Sequence, residues 1–185
     1  MQKTNDKEII QLIKNNQTFD KGFELLIKTY QEKLYWQIRR IVQVHQDADD
    51  VLQNTFIKVF KNIKGFRRDA SLYTWMYRIA TNEALSFIKK RKNNKDISDP
   101  ILALDLLMKS DPYFDENHVS VQLKRAIELL PEKQRIVFNM RYYEEISYKD
   151  LSVILETSIG ALKASYHHAV KKVEDYLIKN ISYAR

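Results

Sequence analysis

No cysteine occurs anywhere in the chain, which excludes a disulfide framework and any thiolate metal site. Glycine and proline are almost as scarce, three of each, leaving little room for a glycine-rich phosphate loop or for frequent tight turns. Neither a Gly-x-Ser-x-Gly nucleophile motif nor a His-Glu-x-x-His zinc motif is present. The reading is therefore a protein with no cofactor, no metal and no enzymatic chemistry of its own. No apolar run approaches the roughly 18 to 20 residues that a membrane helix needs, and the opening MQKTNDKEII is polar from the start. A cytoplasmic chain without membrane insertion is the expectation.

The chain does contain a great deal of Leu, Ile, Lys, Glu, Gln and Ala, which favour helix. Its 185 residues suffice for one ordinary domain or two small helical ones. The formal net charge of +7 favours a polyanionic partner, and its distribution is more informative than its size. Residues 1–92 hold 18 Lys/Arg against 10 Asp/Glu, residues 93–118 hold 2 against 6, and residues 119–185 hold 11 against 8. Two basic blocks flank an acidic connector.

Apolar spacing sets out the elements. Asn5 with Glu8 has the form of a capping box ahead of a short amphipathic helix containing Ile9, Ile10, Leu12 and Ile13. From Asp20, the series Phe23, Leu26, Ile27, Tyr30, Leu34, Ile38, Ile41 and Val42 recurs at three and four residues, as in one long helix. Asp47 reads as the N-cap of the next, with Ala48, Val51, Thr55 and Val59 inward. Gly65 to Asp69 breaks the pattern, and a fourth helix follows from about Ser71 to Arg91. Residues 93–118 lose the period, carry two Asp-Pro pairs and read as a linker with one apolar patch at Ile101 to Met108. Beyond it, Leu123, Ala126, Ile127 and Leu130 form one helix and Pro131 starts another. Ser147 begins a short helix, Glu156-Thr157-Ser158 turns, and Ile159, Leu162, Tyr166, Ala169, Val173 and Leu177 line the last. The fold class expected is all-α: an N-terminal helical bundle and a C-terminal helix-turn-helix joined by an acidic linker.

Two outward faces carry more than solvation requires. At one hundred degrees per residue, Asp50, Gln53, Ile57 and Lys61 fall together opposite the buried side of their helix, with Phe56 and Phe60 beside them. An isoleucine framed by an acid, an amide and aromatic edges suits a partner helix. A solvated face with one stray isoleucine fits the periodicity equally well. On the helix after Ser71, Trp75, Arg78, Asn82 and Lys89 share one side, near Thr74, Thr81 and Leu85, while Tyr73, Met76, Ile79 and Ala80 turn inward. Cations hold phosphates, an amide reads a base edge, and an indole stacks on an unpaired base, with Phe66 and Tyr77 as further platforms. Aromatics at helical spacing also complete cores; the cations have no such use.

Three stretches, in order, resemble segments of extracytoplasmic-function sigma factors of RNA polymerase. Asp47-Ala48-Asp49-Asp50-Val51-Leu52-Gln53-Asn54-Thr55-Phe56-Ile57 resembles their core-polymerase-binding segment, and Ser71-Leu72-Tyr73-Thr74-Trp75-Met76-Tyr77-Arg78-Ile79-Ala80-Thr81-Asn82 their promoter-melting segment. Leu130 to Arg135, Ser147 to Asp150 and Ser158 to Lys163 resemble their C-terminal helix-turn-helix domain. The resemblance implies a factor that binds core RNA polymerase, directs it to specific promoters and assists their opening. It implies domains of sigma domain-two type over 1–92 and domain-four type over 119–185, with 93–118 between them. It places Asp50, Gln53, Phe56 and Ile57 on the beta-prime clamp helices, and Phe66, Arg67, Arg68, Trp75, Arg78, Asn82 and Lys89 on minus-ten DNA. Ser158, Gly160, Ala161, Lys163, Ala164, His167, His168 and Lys171 would face the minus-thirty-five element. The beta flap, and an anti-sigma factor of the kind common in the family, are further partners it brings, with nucleoid association when polymerase-bound. The acidic connector would thread toward basic channels of the polymerase that normally carry nucleic acid.

The last helix departs from the family pattern. Where many members carry Ser-Arg-Leu-His-Arg-Ala-Arg, this chain has Ala164-Ser165-Tyr166-His167-His168-Ala169-Val170. Three arginine positions are lost, so weaker minus-thirty-five binding and greater dependence on polymerase are expected. His167 and His168, being adjacent, diverge by a hundred degrees and do not form a metal site. From residues alone two other functions stand beside the polymerase subunit: an independent operator-binding regulator and a helical adaptor without nucleic-acid ligands.

Overall fold

A computed structural model describes residues 2–92 and 118–181, and every regular element among them is a helix. The chain divides into two compact units, residues 1–93 and 94–185. Among the described residues no helix is long and apolar enough to cross a membrane. The acidic connector read over 93–118, with its Ile101 to Met108 patch, lies outside the described residues except for His118, which opens a helix.

The first unit contains α1 (Gln2–Lys14), α2 (Phe19–Val42), α3 (His45–Asn62) and α4 (Leu72–Lys92), with one 3-10 turn at Ile63–Gly65. The 24-residue α2 is its axis and packs against α1, α3 and α4. Leu26, Tyr30, Leu34, Ile38 and Ile41, three or four residues apart, are buried along it as their spacing requires. Gly22 lets α1 come close: a Cβ there would stand 2.8 Å from the Ile13 backbone nitrogen. Tyr30 is fully buried and its hydroxyl donates to the Asp6 carboxylate, joining α2 to α1. Burial first, and then the Asp6 carboxylate, hold that phenol well above its ordinary range, so the proton stays on the tyrosine.

Two helix starts differ from the expectation. α3 begins at His45 behind Val44, so Asp47 lies in its first turn instead of capping it. The Asp47 carboxylate instead pairs with Arg91 near the end of α4, which ties the two helices together. In that first turn the negative charge also favours the positive end of the helix dipole. α1 begins at Gln2, three residues before the proposed cap at Asn5. Between α2 and α3 the chain turns at Gln43, left-handed with φ 71, whose N–H donates to the Arg39 carbonyl at 2.9 Å.

The second unit contains α5 (His118–Glu128), α6 (Glu132–Tyr142), α7 (Tyr148–Ile154) and α8 (Ile159–Ile181). Pro131 stands at the N-cap of α6, where its missing N–H leaves no helical bond unmade. Ala126, Ile127, Leu130, Phe138, Ala169 and Val173 form a core shared by α5, α6 and α8. The Ser147 hydroxyl accepts from the Asp150 N–H at 3.1 Å and starts α7. After α7 the chain turns through left-handed Glu156, and the Ser158 hydroxyl accepts from the Ala161 N–H at 3.3 Å to start α8. α7, this turn and α8 form the helix-turn-helix. The buried stripe of α8 begins at Leu162; Ile159, expected on it, is 42% exposed.

Candidate partner and nucleic-acid interfaces

On α3 the inward side is Ala48, Val51, Thr55 and Val59, all buried. Thr55 satisfies its hydroxyl on its own helix, donating to the Val51 carbonyl at 2.7 Å. That leaves Asp50, Gln53 and Lys61 exposed on the opposite side, with Ile57 at 46% exposure among them and Phe56 half-buried at the edge. Phe60, which the sequence placed beside the strip without counting it as a contact, is 50% exposed yet firmly seated. Its ring meets Phe19 and Phe23 of α2 edge-on, at 5.4 and 5.1 Å between centroids. The outward side is thus an apolar ledge of Ile57 and Phe60 bordered by an acid and an amide. Lys58 is not part of it: its ammonium pairs with Glu83 of α4.

α4 starts at a hydroxyl cap, since the Ser71 hydroxyl accepts from the Thr74 N–H at 3.0 Å. Arg78, Asn82 and Lys89 are exposed and Trp75 is half-buried. Leu72, Met76, Ala80 and Ala84 point into the bundle. Three residues near the outward stripe turn inward instead. Thr74 and Thr81 are fully buried; Thr81 donates to the Tyr77 carbonyl at 2.7 Å, so its hydroxyl enters the core without a lost hydrogen bond. Tyr77 is no platform for a base: it is buried, its ring lies 4.1 Å from that of Tyr73, and its hydroxyl donates to the Lys33 carbonyl at 3.3 Å.

The loop ahead of α4 exposes Arg67, Arg68 and Asp69. Arg68 adopts φ 65, a left-handed conformation that costs a non-glycine residue roughly 1–2 kcal/mol. Phe66, half-buried, rests against Trp75 with ring centroids 5.3 Å apart. Behind it an open cleft of about 130 Å³ lies between the end of α1 and the 3-10 turn, with Ile13, Ile63 and Phe66 in its lining and Lys14 and Lys64 at hand. One aromatic pair and a set of cations from loop and helix therefore share a neighbourhood, as stacking and phosphate binding require.

Ser158 just ahead of α8, and Gly160, Ala161, Lys163, Ala164, His167, His168 and Lys171 on it, are all exposed, while Leu162, Ala169 and Val173 are buried. Nothing lies within 4 Å of a Cβ built on Gly160, so the protein's own packing does not require glycine there. Lys163 lies 5.9 Å from the Tyr148 ring and Lys172 donates to the Gln134 side chain at 3.0 Å. The sequence reading did not foresee the exposure of Tyr142 and Tyr143, whose rings meet edge-on with 4.9 Å between centroids. Two consecutive tyrosines at a helix end were its signal. Among the described residues, no group of His, Asp and Glu is placed to hold a metal ion.

A family model described as Sigma-70 region 2 matches residues 26–94, and one described as Sigma-70, region 4 matches residues 120–173. The RNA polymerase sigma-H factor of Pseudomonas aeruginosa is 29% identical, covering 90% of this chain and 92% of its own length. The ECF RNA polymerase sigma-E factor of Haemophilus influenzae is 32% identical, over 84% of this chain and 87% of its own. Two solved structures share the fold. The sigma factor RpoE in complex with the anti-sigma factor NepR from Bartonella quintana matches with TM-score 0.67 at 20% identity, covering 86% of this chain and 99% of that one. CnrH in complex with the cytosolic domain of CnrY matches with TM-score 0.69 at 18% identity, covering 95% and 99%.

Proposed function

The chain belongs to the extracytoplasmic-function sigma factors of RNA polymerase, and from that premise we propose how its residues divide the work of initiation. Membership itself makes the protein a transcription initiation factor, acting with core RNA polymerase at specific promoters. It sets aside the readings as a stand-alone operator-binding regulator or an adaptor without nucleic acid.

Residues 1–92 grip the polymerase and open the minus-ten region, residues 119–185 bind the minus-thirty-five element and the beta flap, and residues 93–118 connect them. On α3, the beta-prime clamp helices cover Ile57 and Phe60 while Asp50 and Gln53 pair at the border and Phe56 closes the edge. Burying the apolar centre supplies affinity, and the polar border sets register. On α4, Arg67, Arg68, Arg78 and Lys89 hold the phosphates of the parted non-template strand, and Asn82 reads a base edge. Trp75 offers its face to an unstacked base. Because Phe66 already supports the indole, less conformational freedom is lost when the strand arrives.

On α8, Gly160, Ala161 and Ala164 let the helix backbone approach the major groove, with Ser158, Lys163, His167, His168 and Lys171 around it. So few permanent cations make this a modest anchor that works through polymerase. The chain contributes no catalytic centre of its own. It acts in the cytoplasm, on the nucleoid when polymerase-bound. The Bartonella quintana sigma factor is held by an anti-sigma factor, and we extend a partner of that kind to this chain.

The observation that carries this division is that Asp50, Gln53, Arg78 and Asn82 all stand exposed on two helices whose other sides form one core. Asp50→Ala with Gln53→Ala should weaken assembly with core polymerase and leave folding intact. Trp75→Ala should leave assembly intact and impair strand opening, read by permanganate reactivity of promoter thymines. Equal loss of assembly in both variants would mean a shared folding defect and defeat the division.

A further inference from the structure

Resting on the assignment of α4 and the loop ahead of it to the parted strand, we propose that the cleft beside Phe66 seats one further unstacked base of that strand, which makes α1 part of the DNA-binding surface. The cleft measures about 130 Å³, far below the roughly 300–1,000 Å³ of a cofactor-sized pocket and in keeping with one flat ring. Its walls are apolar and come from three places: Ile10 and Ile13 of α1, Ile63 of the 3-10 turn, and Phe66 of the loop. Ile13 and Ile63 are buried, while Ile10 and Phe66 keep part of their surface open to an incoming ring. Phe66 is shared: it lines the cleft and also rests against Trp75, 5.3 Å between centroids. A strand with one base stacked on Trp75 therefore passes close by the cleft, and the neighbouring base can turn into it.

The remaining lining residues carry the polar chemistry. Lys14 and Lys64 supply cations and Asn16 an amide, and among the described residues that line the cleft none is acidic. Arg67 and Arg68 follow Phe66 on the exposed loop. An apolar slot edged by cations suits a base with its phosphate. The Lys64 ammonium is held in place, donating to the Asn16 side-chain oxygen at 3.2 Å and lying 4.9 Å from the centre of the Phe19 ring. The Asn16 NH2 group can then donate to a base edge. The corner between α1 and α2 is braced as well. The Thr18 hydroxyl donates to the Leu12 carbonyl at 2.8 Å, and the Gln17 N–H donates to the Asn15 side chain at 2.9 Å. The cleft is thus formed before the strand arrives, which lowers the ordering cost of binding. Ile10, Ile13, Lys14 and Asn16 all precede residue 26, where the match to Sigma-70 region 2 begins, so this wall is built from sequence outside that segment.

The experiment uses the full chain assembled with core polymerase and a fork-shaped promoter DNA whose non-template strand is single-stranded across the opened segment. Binding is read by fluorescence anisotropy over a series of salt concentrations, with one base at a time removed from that strand to leave an abasic site. The natural chain is compared with Ile10→Trp, which fills the cleft, Lys14→Ala, which removes a cation at its edge, and Trp75→Ala. Thermal melts report folding. In the natural chain, an abasic site next to the one that couples to Trp75→Ala should cost about tenfold in affinity. In Ile10→Trp the same site should cost nothing further, because that base has already lost its seat. Lys14→Ala, at an exposed position, should keep the abasic effect and lower the salt slope by about 0.7. The inference is overturned if no abasic site couples to Ile10→Trp while one still couples to Trp75→Ala, or if both couple to the same site. Weaker assembly of Ile10→Trp with core polymerase in the absence of DNA would put a polymerase segment in the cleft and overturn it too. Should Ile10→Trp melt early, an unchanged salt slope in Lys14→Ala decides against the inference by itself. If Trp75→Ala couples to no site, the assignment of the strand to α4 fails, and this inference with it.

Discussion

Ile57→Ala isolates the polymerase-facing ledge from the fold that supports it. Ile57 leaves 46% of its surface in solvent. Burying a whole isoleucine side chain stabilises by about 1.5–3 kcal/mol, so the open half gives about 1 kcal/mol on docking. Truncation to alanine should therefore weaken binding to core polymerase about fivefold. Ile57→Lys places a cation in the apolar centre and should take the loss past about tenfold. Neither change touches Ala48, Val51, Thr55 or Val59, which hold α3 in the bundle, so the melting temperature should stay put. Phe60→Ala behaves differently: it deletes two edge-on ring contacts, each contributing about 0.5–1.5 kcal/mol, and so lowers folding stability together with affinity. Titrating labelled chain with core enzyme, beside circular-dichroism melts, distinguishes these outcomes. Full affinity in Ile57→Lys would refute the ledge as a contact; a melting loss in Ile57→Ala as large as that in Phe60→Ala would refute its separation from the core.

Gly22→Ala drives a Cβ to 2.8 Å from the Ile13 backbone nitrogen, which cannot move aside as a side-chain tip could; a loss of about 1–3 kcal/mol is expected in chemical denaturation of the first unit. Arg68→Gly relieves a left-handed arginine, raising stability by about 1 kcal/mol, while affinity for single-stranded DNA falls because a cation is removed. Tyr30 keeps its proton when folded under conditions where the unfolded chain gives it up, so its contribution is intact below about pH 10 and fades as the pH rises above that. Melts taken across that range should show the alkaline decline flattened in Tyr30→Phe.

Much of the fold was legible because period and burial coincide: Ala48, Val51, Thr55 and Val59 are the buried side of α3, and Leu26 to Ile41 that of α2. What escaped was set by contacts distant in sequence. Asp47 looked like a cap because its local pattern is that of one, but its partner Arg91 lies 44 residues away. Tyr77 and Thr81 looked polar enough for the surface, but the Lys33 and Tyr77 carbonyls satisfy their hydroxyls inside the bundle. Phe60 was undervalued because its seat is made by Phe19 and Phe23 on another helix. The exposed residues proposed as contacts were nearly all legible as exposed, since a helical wheel needs no tertiary knowledge once the buried side is right. The three aromatics, Phe56, Phe66 and Trp75, were the exceptions in degree, being half-buried; the support of Trp75 by Phe66 depends on how the loop folds back.

The claim that two adjacent helices face two different macromolecules is tested most directly by site-specific photo-crosslinking in the polymerase–promoter complex. A photoreactive residue at position 57 should attach to the beta-prime subunit and not to DNA, and one at position 82 should attach to the non-template strand within the opened segment. Attachment of both to the same partner, or of position 82 to protein alone, would contradict it.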